Sequence, residues 1–135
     1  MTSNTGDMLG QIPLFRGLSK KDAKHVASLM TPVEVKEGRV LARQGDVGRE
    51  FFVIREGHAV VERDGAVVNT LGPGDWFGEI ALLDNARRAA TVTAKTDMQL
   101  EVLTRTEFSE LLDTAPGVSR QLLKGLAHIL EERSQ

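Results

Sequence analysis

Cysteine and tyrosine are absent from this chain of 135 residues, tryptophan occurs once, and aromatic residues make up 4% of it. The missing cysteines exclude disulfides, thiolate zinc sites and thiol nucleophiles. So few aromatic side chains leave little with which to stack the bases of a single strand. There is no surplus of positive charge either: 17 Lys and Arg against 19 Asp and Glu give −2 at neutral pH. Binding along a phosphate backbone is chiefly electrostatic and is not favoured, whereas one small anion held by one or two arginines is compatible. No apolar run approaches the roughly 20 residues that cross a bilayer. The start, Met1 to Asp7, lacks the basic stretch and apolar run of a secretory signal. A cytoplasmic protein is expected, without direct nucleic acid or membrane contact. The three histidines, His25, His58 and His128, share no ligand spacing, and the serines have no adjacent base, so neither a metal centre nor hydrolytic chemistry is expected.

What is present is enough for one compact domain, with 41% apolar and 27% charged residues. Residues 1 to 8 are polar enough to be flexible, and helices are expected over 9–31. Ser19 caps the second of them, with Asp22 three positions on; Ala23, Val26, Ala27 and Met30 share one side, and Pro32 stops it. Over 32–104 the rhythm changes to short apolar runs divided by turn residues: Val33 and Val35, Val40-Leu41, Phe51 to Ile54, Ala59 to Val61, Val67-Val68, Thr91 to Ala94 and Met98 to Leu103. Asp64-Gly65 is the strongest hairpin signal, because both positions must accept positive φ. Strands at this density, without crossover helices, indicate an antiparallel sandwich or barrel. Helices return over 105–133. Phe108, Leu111 and Leu112 mark the first, and Pro116-Gly117 bends the chain. Leu122, Leu126, Ile129 and Leu130 then stripe a second helix over 118–133, which could pack on the barrel, close as a lid or form a dimer seam. The mixed charges of Glu101, Arg105, Glu107 and Glu110 read as a solvated face, and Asp64-Gly65 as a turn alone.

The densest chemistry lies between Phe77 and Val92. Gly78 lets the backbone pass close to a ligand, since it has no Cβ. One short helical turn over Gly78 to Leu83, carrying Ile80 and Ala81, would direct free N–H groups at a phosphate. Glu79 could complement that turn's dipole or accept a hydrogen bond from a sugar hydroxyl. Nine positions on stands Arg88, followed by the small residues Ala89 and Ala90, which let the backbone approach an anion while the guanidinium forks onto two of its oxygens. Such a set suits a ligand with a single phosphodiester charge and a free ribose hydroxyl.

Phe77-Gly78-Glu79-Ile80-Ala81-Leu82, with its Arg88-Ala89-Ala90-Thr91-Val92 ending, resembles the phosphate-binding cassette of the cyclic-nucleotide-binding domain family. Kinase regulatory subunits and catabolite-activator-type regulators belong to that family. Leu14 to Ser19, Arg43-Gln44-Gly45-Asp46, Phe51 to Ile54 with Gly57, and Leu71 to Asp75 are similar to its other landmarks, so the likeness runs over about residues 12 to 132. It implies a mainly β fold: an eight-stranded antiparallel β-roll with N-terminal helices before it and two C-terminal helices after it, forming one domain over 1–135. It also implies that Glu79 and the Gly78 backbone meet a ribose 2′-hydroxyl, while Arg88 and the N–H groups of Ala81 and Ala89 hold a cyclic phosphate. Family members often carry proline where Arg87 stands, so two arginines lie side by side here; the spacing from Glu79 selects Arg88 and leaves Arg87 at the surface. Members selective for cyclic GMP tend to place threonine after the arginine. Ala89 has no hydroxyl, which favours cyclic AMP over cyclic GMP.

The expectation is a non-catalytic sensor of cyclic AMP, without cofactor or metal, that reports to an effector protein or a second copy of itself. Two alternatives stay open: a roll of the same shape that serves as a ligand-free interaction module, and the sensory part of a larger regulator or enzyme.

Overall fold

The computed structural model describes Ile12, residues 15–78 and residues 87–115. The described chain forms two compact units, one of the residues up to Leu29 together with those from Thr106 onward, the other of Met30–Arg105.

In the helical unit, Ile12 and Phe15 are buried and closed into a turn by the Phe15 N–H on the Ile12 carbonyl at 2.9 Å. Helix α1, Lys20–Leu29, starts as its sequence requires. The Ser19 hydroxyl accepts the Asp22 N–H at 3.0 Å and the Ser19 carbonyl accepts Ala23 N–H at 2.8 Å, which satisfies donors that an open first turn leaves unpaired. Thr31 precedes Pro32 and so resists helical dihedrals, and the helix ends before it. Val26 is fully buried on α1, flanked by half-buried Ala23 and Ala27. Helix α2, Arg105–Thr114, buries Phe108 and Leu111, three positions apart on one side. The second C-terminal helix expected over 118–133, and any lid it would form, lie outside the described residues, as do residues 1–8.

The second unit holds eight strands in two antiparallel sheets. Strands β1 (Thr31–Val35), β8 (Met98–Thr104), β3 (Glu50–Glu56) and β6 (Trp76–Phe77) form one sheet in the order β1-β8-β3-β6. Strands β2 (Val40–Ala42), β7 (Thr91–Ala94), β4 (Ala59–Arg63) and β5 (Ala66–Leu71) form the other in the order β2-β7-β4-β5. The expected mainly β roll with helices is what the chain adopts. Pro32 sits on β1, an edge strand, where a missing N–H costs no ladder bond. The β4–β5 hairpin turns at Asp64 and Gly65, with φ of 53° and 84°. Between the sheets, Val35, Phe52, Ile54, Phe77, Met98, Leu100 and Val102 meet Ala42, Ala59, Val92 and Ala94. Large side chains of one sheet thus oppose three alanines and a valine of the other. Strand β3 is the axis of this core: Phe51 to Ile54 are each at most 5% exposed, as a continuous apolar run buried on both faces should be.

Two sequence expectations are corrected here. Glu101 does not lie on a solvated face: it is 1% exposed and pairs with Arg55, Nη1 to Oε2, at 3.0 Å. The reason is topological. Strand β8 runs between β1 and β3, so Glu101 is flanked by Pro32 on one side and Val53 on the other. A bulge in β3 between Ile54 and Glu56 leaves Arg55 out of the ladder, and its guanidinium reaches the carboxylate. Burial raises the Glu101 pKa above the usual carboxylate value, and Arg55 offsets part of that rise. Asp64 likewise does more than turn the hairpin. Its N–H and carboxylate exchange hydrogen bonds with the Gln44 side chain at 3.0 and 2.8 Å, which ties the hairpin to the loop after β2.

Candidate functional site

Strand β6 ends at Phe77, and the next residue turns sharply. Gly78 has φ of 101°, a conformation that a side chain strongly disfavours. Space is as restrictive as the dihedral. A Cβ at Gly78 would stand 2.6 Å from the Glu50 carbonyl oxygen, 2.7 Å from Arg88 Nη1 and 3.4 Å from the Phe51 Cα. The glycine therefore serves two neighbours at once, the start of β3 and the arginine that precedes β7.

Arg88 is half-buried, and its guanidinium is aimed by several groups. Nη2 donates to the Glu50 carbonyl at 2.7 Å, and Cζ lies 6.0 Å from the centre of the Phe52 ring. Its backbone is also held: the Arg88 N–H donates to the Asp46 carbonyl at 2.7 Å, and its own carbonyl accepts from the Gly45 N–H at 2.9 Å. Arg87, its neighbour, is exposed and turns to the Gly45 carbonyl, Nη1 to oxygen 2.9 Å, while its backbone bridges to Val47. The adjacent arginines thus have different tasks: one guanidinium fastens the loop, the other stands beside Gly78. Ala89 is exposed and Ala90 half-buried, and strand β7 begins directly after them.

Of the residues selected from sequence, the structure brings Gly78 and Arg88 together and sets Ala89 and Ala90 immediately after the arginine. Glu79, Ile80 and Ala81 lie outside the described residues, as does the short helical turn expected over Gly78 to Leu83. Trp76 is half-buried on β6, opposite Val53.

Sequence reasoning missed the loop that supports the arginine. Residues 43–49 join β2 to β3, and three guanidinium groups converge on this loop and the first residue of β3: Arg87 on the Gly45 carbonyl and Arg105 on that of Gly48, each at 2.9 Å, and Arg88 on that of Glu50 at 2.7 Å. Gln44-Gly45-Asp46 signalled a turn, but nothing in the local pattern reveals that distant arginines will satisfy its carbonyls. A cleft of about 350 Å³ lies elsewhere on the roll, lined by Glu34, Val35, Lys36, Glu56, Asp97, Met98 and Gln99. Three carboxylates against one lysine make it unsuited to an anion. Among the described residues, no group of three His, Cys, Asp or Glu side chains could hold a metal ion, and no helix is long and apolar enough to cross a membrane.

Residues 32–115 match the family model described as "Cyclic nucleotide-binding domain". The cAMP-dependent protein kinase regulatory subunit of Schizosaccharomyces pombe is 37% identical over 114 residues, which cover 84% of this chain and 28% of that protein. The regulatory domain of Toxoplasma gondii PKA, solved with cAMP, superposes with a TM-score of 0.71 at 37% identity, covering 79% of this chain and 42% of the other. The Thermus thermophilus Catabolite Activator Protein superposes with a TM-score of 0.83 at 31% identity, covering 90% of this chain and 60% of that one. The chain therefore spans about a quarter of the length of the regulatory subunit it matches.

Proposed function

This chain belongs to the cyclic nucleotide-binding domain family, and from that premise we propose that it binds cyclic AMP reversibly beside Gly78 and Arg88 and performs no chemistry on it. The observation that carries the reading is the seat of the Arg88 guanidinium. Nη2 donates to the Glu50 carbonyl, and the absence of a Cβ at Gly78 lets Nη1 stand against the backbone. A planar cation placed where the backbone can come close is what a cyclic phosphate monoanion needs. Glu79 and the Gly78 backbone then meet the ribose 2′-hydroxyl, Ile80 belongs to the apolar turn beside it, and the N–H groups of Ala81 and Ala89 complete the phosphate contacts. Ala90 keeps the wall small. With no hydroxyl on Ala89 to meet guanine, cyclic AMP is preferred to cyclic GMP. No cofactor or metal enters this scheme. The reporting partner is an effector protein or a second copy of the chain in the cytoplasm.

The test is calorimetric titration of the chain and two variants with cyclic AMP. Saturable 1:1 binding is expected, abolished or severely weakened by Arg88→Ala and nearly unchanged by Arg87→Ala. Absence of binding to the unaltered chain refutes the reading, and equal loss in both variants refutes its choice of arginine.

A further inference from the structure

Strand β6 carries Gly78 to its place, yet it has only two paired residues, Phe77 opposite Phe52 and Trp76 opposite Val53. Strands are usually about five or six residues long, and so short a ladder does little to fix its own register. The corner before it is better fastened. Gly72, Pro73, Gly74 and Asp75 form a type II turn: proline is second, Gly74 is third with φ of 90°, and the Asp75 N–H donates to the Gly72 carbonyl at 3.0 Å. The Asp75 carboxylate closes the same turn from the other direction, its Oδ2 accepting the Gly72 N–H at 2.8 Å. An ionised acceptor makes this the stronger of the two bonds.

The turn is also where β6 takes its register. The buried Ile54 spends both backbone groups on it, donating its N–H to the Asp75 carbonyl at 2.9 Å and accepting the Gly74 N–H at 2.8 Å. Backbone groups buried this deeply must be paired, so the turn cannot open without cost to β3. Once Asp75 stands opposite Ile54, every later position follows. Trp76 meets Val53, Phe77 meets Phe52, and Gly78 arrives where a Cβ would stand 3.4 Å from the Phe51 Cα and 2.6 Å from the Glu50 carbonyl oxygen. A slip of one residue would turn Phe77 out of the core and take the glycine away from both neighbours.

We infer that Asp75 is a positioning residue for the ligand site: by locking the turn before β6 it sets the register that brings Gly78 to Glu50 and Arg88, without touching the ligand. This inference rests on the proposed binding of cyclic AMP beside Gly78 and Arg88. Asp75→Ala removes the acceptor of the Gly72 N–H and is expected to weaken cyclic AMP binding roughly tenfold, the net worth of one hydrogen bond to a charged group. Asp75→Asn keeps an oxygen that accepts the same N–H and is expected to recover most of that loss.

The chain's single tryptophan reports on the element itself, since half-buried Trp76 directly follows Asp75. Calorimetric titration with cyclic AMP, and Trp76 emission without ligand, are measured for the unaltered chain, Asp75→Ala, Asp75→Asn and Gly65→Ala. The last strains the turn of the β4–β5 hairpin and controls for general destabilisation. The inference predicts weaker binding and emission at longer wavelength for Asp75→Ala, both largely restored in Asp75→Asn and neither seen in Gly65→Ala. It is overturned by Asp75→Ala affinity within about twofold of the unaltered chain, by unmoved Trp76 emission, by Asp75→Asn binding as weakly as Asp75→Ala, or by an equal affinity loss in Gly65→Ala. If circular dichroism shows that Asp75→Ala does not fold, Pro73→Ala, which frees the φ that proline fixes in the same turn, replaces it and is judged by affinity and emission. No binding by the unaltered chain overturns the functional reading and this inference together; binding with an intact Asp75→Ala affinity overturns only the inference.

Discussion

Replacing Gly78 with alanine perturbs one backbone dihedral and two neighbours, and Gly65 offers a control that separates them. Gly65 has φ of 84° and open space where a Cβ would go, so Gly65→Ala carries the dihedral cost alone. Holding a non-glycine residue in such a region costs about 1–3 kcal/mol. Gly78→Ala carries that cost at φ of 101°, and its methyl group would also stand 2.6 Å from the Glu50 carbonyl and 2.7 Å from Arg88 Nη1. The carbonyl belongs to the central strand and cannot yield cheaply; the guanidinium is the softer neighbour and must leave. Overpacking of this kind adds about 1–3 kcal/mol, so the variant should lose about 2–6 kcal/mol in all. Urea denaturation of both variants measures the stability difference through the shift in midpoint, and calorimetric titration with cyclic AMP measures the site. The expected pattern is a modest stability loss with intact binding for Gly65→Ala, and a larger loss with at least tenfold weaker binding for Gly78→Ala. Equal stability losses and unchanged affinity would refute the claim that the glycine makes room for the arginine.

Arg88→Ala should cost about 2–5 kcal/mol of binding, because a phosphate charge is left without its partner; affinity equal to the unaltered chain by calorimetry would contradict this. Ala89→Thr should raise the affinity for cyclic GMP relative to cyclic AMP, checked by competition between the two ligands, and an unchanged ratio would place base selection elsewhere. Arg55→Ala should destabilise the fold by about 3–5 kcal/mol in urea denaturation at neutral pH, since it strands the buried Glu101 carboxylate. The pH dependence of that carboxylate has a defined sign. Burial raises its pKa in the folded state, so between the usual carboxylate value and the raised one the native chain holds a proton that the unfolded chain has released. This group's contribution therefore grows as pH falls through that window and is lost as pH rises through the folded pKa. Measured between pH 4 and 7 against Glu101→Gln, the unaltered chain should lose relative stability with rising pH; the opposite slope would contradict a raised pKa.

The two-sheet architecture was legible because its signals are local. Asp64-Gly65 favours a turn with positive φ, Ser19 caps the helix that follows it, and the short Phe51 to Ile54 run, ended by Glu56-Gly57, fits a strand buried on both faces. Arg88 was legible through its spacing of nine positions from Glu79 and the two alanines after it, and Gly78 as the residue that lets the backbone approach a ligand. Arg55–Glu101 was not: a carboxylate that alternates with apolar residues along a strand reads as solvated until β8 is known to run between two other strands. The same holds for the loop before β3 and the first residue of that strand, whose carbonyls accept from arginines 38 to 57 residues away in sequence. Long-range partners leave no periodicity behind, and only the assembled sheets reveal them.

The most direct test is a titration of the isotopically labelled chain with cyclic AMP, followed by amide and arginine side-chain resonances. If the ligand seats where the geometry points, the largest shifts fall on the amides of Gly78, Ala89 and Ala90 and on the Arg88 guanidinium, and Glu34, Glu56 and Asp97 stay still. Shifts concentrated at that acidic cleft, or a silent Arg88 at saturating ligand, would contradict the account.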